Sequence, residues 1–316
     1  MSVRFSAVSD SILDAVGDTP LLNIEGIYAK LEFLNPSGSI KARIAKYMIE
    51  RAEQEGLLKP GDTIVEATSG NTGNALSMVA AAKGYRMLVV MPEGMSSARV
   101  AISRAYGAEI LFCGNFHVNE ALERARELGQ QPGFFAPGQF ESELNIEENR
   151  EVLGPEIIAQ LPEGQVPDAL VLGVGTGGTL VGVGEAFRKV NPDVRLFAME
   201  PSESQTILCG EIGKHAIEGI SDGFVPGIFE RNQDLINDYL NVSTEETIST
   251  MRRLARDYGL FCGPSSGAHL VAAKRVREQF PELKTVVTAF CDKGEKYLNE
   301  YYMAPESKDV NPSHFE

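Results

Sequence analysis

What most constrains the fold of this chain is an alternation. Apolar runs of strand length are separated by amphipathic stretches of helical length, and Gly/Ser/Thr loops stand at several of the handovers. The strand-like runs are Tyr28 to Phe33, Thr63 to Ala67, Arg86 to Met91, Glu109 to Cys113, Ala169 to Val174, Arg195 to Glu200 and Thr285 to Cys291. Strands that are apolar throughout need cover on both faces, and helices connecting parallel strands supply it. The pattern predicts an α/β chain with doubly wound, mostly parallel sheets. With 316 residues and 43% apolar content the chain can bury the cores of about two domains. The break falls near residue 150, giving an N-terminal unit over 1–150 and a C-terminal unit over 151–316, with the segment up to about residue 35 free to pack on the second unit. Ser243-Thr244-Glu245-Glu246 reads as a capping box opening a helix that runs to Tyr258. The polar tail from Ala304 to Glu316 reads as a loose terminus.

The loops at the handovers are Thr68-Ser69-Gly70-Asn71-Thr72-Gly73, Gly175-Thr176-Gly177-Gly178-Thr179 and Gly263-Pro264-Ser265-Ser266-Gly267. A loop that enters a helix aims backbone N–H groups at whatever anion lies before it. A lysine adds reactivity to these cradles. In Asn35-Pro36-Ser37-Gly38-Ser39-Ile40-Lys41, with Ser39 to Glu55 read as a helix, Ile44, Ala45, Met48 and Ala52 share the face of Lys41. Arg43, Lys46, Glu50 and Glu53 take the other side. Burying an ammonium costs several kcal/mol or forces loss of its proton, and a desolvated amine of lowered pKa is what a Schiff base requires. The competing reading is a lysine that snorkels from the first helical turn. A reactive amine beside several anion cradles points to pyridoxal phosphate.

Other chemistries are excluded or less complete. Lys and Arg total 29 against 44 Asp and Glu, a net charge of −15 that opposes nonspecific binding to nucleic acid or anionic membranes. No apolar run approaches the roughly 20 residues of a membrane span, and no basic, hydrophobic leader opens the chain. A cytoplasmic protein is expected. The 4 cysteines form no CxxC pair, and the 4 histidines show no metal-binding spacing, so buried thiols and no metal are expected. Gly173-Val174-Gly175-Thr176-Gly177-Gly178 also satisfies GxGxxG, with Glu200 ending the next strand, as in nicotinamide enzymes. That reading leaves Lys41 and the Asn71 loop unexplained, whereas the hydroxyls of Thr176 and Thr179 suit a single dianionic phosphate.

At these residues the chain resembles the fold type II pyridoxal phosphate enzymes, specifically the cysteine synthase and cystathionine β-synthase family. The resemblance runs from about Ile12 to Tyr301 and is carried by Gly17-Asp18-Thr19-Pro20-Leu21, the Lys41 segment, Thr68 to Gly73, Gly175 to Thr179, Gly219 to Pro226 and Cys262 to Gly267. It implies a tryptophan synthase β-like architecture with the cofactor in the cleft between the two units. Lys41 would hold pyridoxal phosphate as a Schiff base and shuttle the Cα proton. Gly175, Thr176, Gly177, Gly178 and Thr179 would cradle its phosphate. Asn71 would meet the ring hydroxyl and Ser265 the pyridine nitrogen. Thr68, Ser69, Asn71, Thr72, Gln139 and Gly219 would bind the substrate. The implied reaction is β-replacement on serine or cysteine derivatives through an α-aminoacrylate, of O-acetylserine sulfhydrylase type, in a homodimer. Neither the haem-binding extension nor the regulatory module of some members is recognisable, so a bare catalytic core is expected.

The chain departs from the family pattern in three places. Ala42 replaces the acid that often follows the lysine. Glu141-Ser142-Glu143-Leu144-Asn145 replaces an Asn-Pro-Ala-Asn run. Ser221-Asp222 stands where small neutral residues are usual. Asp222 is either a solvated turn acid beside Gly223 or a general base at the mouth of the site. As a base it would favour water over hydrosulfide, and cysteine would yield serine and hydrogen sulfide. Cystathionine β-synthase and 2,3-diaminopropionate synthase activities, and a cofactor-binding scaffold without turnover, are the remaining alternatives. Because Gly219 to Pro226 contains no Lys or Arg, a phosphorylated donor is expected to be poor.

Overall fold

The computed structural model describes residues 8–68, 70–94, 97–115 and 118–303. Ser69, His117 and the tail from Ala304 lie outside them. In chain order the elements begin with β1 (Leu21–Ile24), β2 (Ile27–Leu31), α1 (Lys41–Gln54), β3 (Thr63–Ala67), α2 (Asn71–Lys83) and β4 (Arg86–Glu93). Next come α3 (Ser97–Ala105), β5 (Glu109–Asn115), α4 (Val118–Gly129), β6 (Phe134–Phe135), α5 (Glu143–Glu148) and α6 (Gly154–Gln160). Then follow β7 (Ala169–Gly173), α7 (Gly178–Val190), β8 (Arg195–Pro201), α8 (Thr206–Cys209), α9 (Gly227–Glu230) and β9 (Asp238–Val242). The last are α10 (Thr244–Tyr258), α11 (Pro264–Gln279) and β10 (Val286–Phe290).

The strands form a 6-stranded sheet, order β1-β2-β10-β7-β8-β9, and a 4-stranded sheet, order β5-β4-β3-β6. All pairings are parallel except β1 with β2. Both sheets are covered on both faces, as the unbroken apolar runs predict. Along β7, Ala169 and Val171 enter the core shared with α11, while Leu170 and Leu172 enter the one shared with α7. In the smaller sheet Ile64 packs with α1 and α2, and Val65 and Ala67 pack with α4. The capping box is present: Ser243 accepts the Glu246 N–H, and the Glu246 carboxylate accepts the Ser243 N–H.

The first strands pair with the last one, not with their neighbours in sequence. Glu25 and Gly26 make the left-handed turn of the β1–β2 hairpin, and Tyr28 to Leu31 then align with Val287 to Phe290. The reason is burial. Ile24, Ile27, Ala29 and Leu31 join the α11 core, and each large side chain buried contributes about 1.5–3 kcal/mol. Closing the longer loop costs only about 0.6 kcal/mol per doubling of its length. The run expected to reach Phe33 stops at Leu31, because Glu32–Leu34 turn as a 3-10 helix. The strands β1, β6 and β9 carried no sequence signal: β6 is 2 residues long, and β9 is partly polar and mostly half-buried.

Candidate active site

Loops from both sheets line one cavity. Lys41 enters it from the first turn of α1. The turn ahead of Lys41 is sewn to the end of β10. Ile40 donates its N–H to Cys291 O at 2.8 Å, Lys293 donates to Gly38 O at 3.0 Å, and Ser39 bridges Asp292. Ile44, Ala45, Met48 and Ala52 are buried, as the periodicity of α1 predicts, and Ala42, off that face, is buried as well. Lys41 is half-buried and makes no hydrogen bond or ion pair among the described residues. Burial pulls its pKa below the ordinary lysine value, against the opposing influence of Cys291, Asp222 and Asp292.

Arg43 departs from its expected place on the solvent side of α1. It is 3% exposed, because tertiary packing brings acids to it that no local pattern shows. Its Nε and Nη2 bond Glu32 at 2.7 and 2.9 Å, and its Nη1 and Nη2 bond Glu156 at 2.9 and 2.8 Å. Two forked carboxylate contacts recover what desolvating a guanidinium loses.

The Gly175 loop follows β7 and opens α7. Gly177 caps that helix at φ +87°. Side chains have no room here: a Cβ on Gly175 would lie 2.4 Å from Gly219 O, and one on Gly178 would lie 2.1 Å from Asn145 Oδ1. Thr176 Oγ1 accepts hydrogen bonds from Asn145 Nδ2 at 3.0 Å and from the Gly178 N–H at 3.3 Å, so its own hydrogen is available to the cavity. The helix N-terminus, its backbone donors and the Thr176 and Thr179 hydroxyls suit a dianion. Ser265, in the first turn of α11, is buried and also lines the cavity.

The loop after β3 supplies a second group of donors. Thr68 Oγ1 accepts the Gly70 N–H at 3.1 Å. Thr72 Oγ1 donates to Gln139 Oε1 at 2.6 Å, and Gln139 Nε2 donates to Ala67 O at 3.3 Å. Beneath them is Glu66, buried, whose carboxylate accepts the N–H groups of Ala67 at 3.0 Å and Gln139 at 3.2 Å. Desolvation raises its pKa to about 7. Asn71 Nδ2 donates to Asp292 Oδ2 at 2.8 Å, and its Oδ1 accepts from Lys296. These partners set the orientation of the amide and leave one Nδ2 hydrogen for a ligand.

Asp222 and Gly219 reach the same cavity. Ser221 and Gly223, on either side of Asp222, adopt φ of +52° and +85°. Asp222 is half-buried, and desolvation raises its pKa against the pull of Lys41, His215 and Arg99. The sequence-predicted residues therefore converge on the cavity, except Gly178, which sits against Asn145 behind the lining, and Ser69, which lies outside the described residues. Arg99, Glu218, His269, Cys291 and Asp292 were missed. Arg99 pairs with Glu218 and donates to Tyr297 Oη at 3.2 Å, so α3 brings a cation to a pocket whose mouth loop contains none. This removes the basis for expecting a phosphorylated donor to be poor. A histidine within an apolar helical run and an aspartate just past a buried strand were the only signals in the sequence; nothing marked Arg99.

These donors fit pyridoxal phosphate: an amine held partly out of water, a side-chain-free cradle at a helix start, and a hydroxyl on the ring side. The profile of the family "pyridoxal-phosphate dependent enzyme" matches residues 12–292. The chain belongs to this family. Among relatives of the pyridoxal-phosphate dependent chain, a cysteine synthase of Staphylococcus aureus is 42% identical over 299 residues, covering 92% of this chain and 96% of the relative. A crystal structure of O-ureido-L-serine synthase superposes with a TM-score of 0.89 at 38% identity, covering 98% of this chain and 99% of the other. A hydrogen sulfide-producing enzyme from Fusobacterium nucleatum superposes with a TM-score of 0.85 at 36% identity, covering 93% of this chain and 99% of the other. The fold is that of type II pyridoxal phosphate enzymes. No helix among the described residues is long and apolar enough to cross a membrane.

Proposed function

We infer that the chain is a β-replacing enzyme of cysteine synthase type, acting on serine or cysteine derivatives with pyridoxal phosphate. The observation that carries this reading is Lys41, an amine without a hydrogen-bonding partner among the described residues, facing the Gly175 cradle across one cavity. When bound, pyridoxal phosphate supplies the electron sink that makes loss of the Cα proton and of the β-substituent accessible. Lys41 would hold the cofactor through its amine and would move the proton at the substrate Cα. Gly175, Thr176, Gly177, Gly178 and Thr179 bind the phosphate. Ser265 meets the ring nitrogen as a neutral partner, and the remaining Nδ2 hydrogen of Asn71 orients the ring hydroxyl. Thr68, Ser69, Asn71, Thr72 and Gln139 hold the substrate carboxylate through hydroxyl and amide donors, with Gly219 closing the site. The pattern of strand and helix runs supports a division into units 1–150 and 151–316, the composition supports a cytoplasmic setting, and the resemblance supports a homodimer.

A second reading rests on Asp222. Its position in the cavity and its raised pKa suit a general base. Acting on water, it takes one proton as the Cβ–O bond forms, after the Cβ–S bond of cysteine has broken and sulfide has left with a proton. Cysteine and water then become serine and hydrogen sulfide. The similarity to a hydrogen sulfide-producing enzyme fits this outcome.

The test is holoenzyme assayed with O-acetylserine plus sulfide and, separately, with cysteine alone, following cysteine, serine and sulfide. Cysteine formation in the first assay is expected. In the second, Asp222→Asn should lower serine output by roughly 10²-fold or more. Unchanged serine output would make Asp222 a turn residue. Failure of both assays with every serine derivative would overturn the function.

A further inference from the structure

β7 and β10 are parallel neighbours that do not stay paired to their ends. Ala169 aligns with Val286 and Leu170 with Val287, and the backbone ladder goes no further. Past that point side chains bridge the strands. Thr288 Oγ1 donates to Val171 O at 2.7 Å. One turn on, the imidazole of His269 reaches in from α11: its Nδ1 bonds Ala289 O at 2.7 Å, and its Nε2 accepts the Gly173 N–H at 2.7 Å.

These two bonds define the state of the ring. A nitrogen that accepts from an amide carries no hydrogen, so the ring hydrogen sits on Nδ1, where a carbonyl receives it. His269 is 2% exposed. Burial lowers its pKa to about 4, with Asp292 as the charge that opposes the shift. Cys291 Sγ lies 3.9 Å from Nδ1. A Cβ on Gly173 would approach Nε2 and the Ile220 side chain to 3.0 Å, so a side chain here would crowd the ring that reaches the N–H.

The consequence falls on the candidate cofactor site. Parallel strands can part at their carboxyl ends only if the freed N–H and C=O groups find other partners. Here a single ring satisfies one of each. Gly173 ends β7 immediately before the phosphate loop, and Gly173, His269 and Cys291 all line the cavity. We propose that His269 is a positioning residue: its ring wedges the ends of β7 and β10 apart and thereby sets the direction in which Gly175 to Thr179 present their donors. The proposal rests on reading that loop as the phosphate cradle.

Two measurements test it. In the first, pyridoxal phosphate is titrated into apo wild-type protein and apo His269→Ala. The variant should bind with a Kd weaker by roughly tenfold or more, the scale of one lost buried hydrogen bond. The phosphorus resonance of its bound cofactor should shift or broaden. An unchanged Kd and an unchanged resonance would overturn the proposal. In the second, nitrogen NMR of wild-type protein at neutral pH should show His269 as the neutral Nδ1–H tautomer. An imidazolium or an Nε2–H tautomer would contradict the wedge even if His269→Ala fails to fold. Wild-type protein that binds no pyridoxal phosphate would refute the cofactor reading instead, a result the tautomer measurement distinguishes from failure of the wedge.

Discussion

Lys30 and Lys41 are both drawn out of water, and burial lowers the pKa of each. Their surroundings are opposite. Lys30, fully buried on β2, bonds Thr19 O and Gln160 Oε1, the latter at 2.6 Å, and pairs with Glu156 at 2.5 Å. Lys41 has no hydrogen bond or ion pair among the described residues. Each acceptor around Lys30 stabilises its ammonium and ties the N-terminal hairpin to α6. An equivalent set around Lys41 would favour the charged, unreactive form. The contrast separates a charge kept for the fold from an amine kept for chemistry.

The most direct way to break this comparison is Lys41→Ala. Turnover should fall by roughly 10²- to 10⁴-fold, and the visible absorbance of the holoenzyme should disappear, while the far-ultraviolet circular dichroism stays unchanged. Near-wild-type activity would remove Lys41 from the chemistry. For Lys30→Met the effect should move from activity to stability. Removing one member of a buried ionic set typically costs about 3–5 kcal/mol, to be read from urea unfolding. A loss below about 1 kcal/mol would mean that Glu156, which is partly exposed, simply finds water.

A smaller effect sharpens the same contrast. Around Lys30 and Arg43 stand Glu32, Glu148 and Glu156, so acids outnumber bases. Burial raises the Glu148 pKa to about 8 from its ordinary value of 4.5. Below pH 4.5 Glu148 is protonated whether the chain is folded or not. Between there and about pH 8 only the folded form keeps that proton, so this group makes stability fall as pH rises. The slope is about 1.4 kcal/mol per pH unit at most. Glu148→Gln should flatten the curve over that window, measured by denaturant unfolding at several pH values. Glu25 works in the other direction. Arg253 first, then Lys274 and Tyr258, hold its pKa down to about 2, so its contribution is lost as pH falls from the ordinary 4.5 toward 2.

Much of the site was legible because the signals were local. Lys41 shares its helical face with Ile44, Ala45 and Met48, and that spacing predicts burial without any knowledge of a partner. The Gly175 loop was legible for a similar reason: a chain entering a helix through Gly-Thr-Gly-Gly has few physical uses other than close approach to an anion. Arg43, by contrast, obeys the same periodicity and was placed wrongly. Its acids come from the 3-10 turn after β2 and from α6, which local spacing does not see. Arg99 was missed on the same ground, since an arginine in a short helix looks solvated until Glu218 and Tyr297 are found beside it.

By itself the sequence determined the layer architecture, because strands apolar along their whole length must be covered on both faces, and it determined which loops carry chemistry, because glycine and hydroxyl residues at helix starts act through their own backbone. Only the tertiary structure decided that the first hairpin joins the last strand, that Glu32 and Glu156 neutralise Arg43, and that His269 bridges Gly173 to Ala289. These are contacts between residues distant in the chain. Their energy depends on which groups are brought together out of water, and no local pattern encodes that.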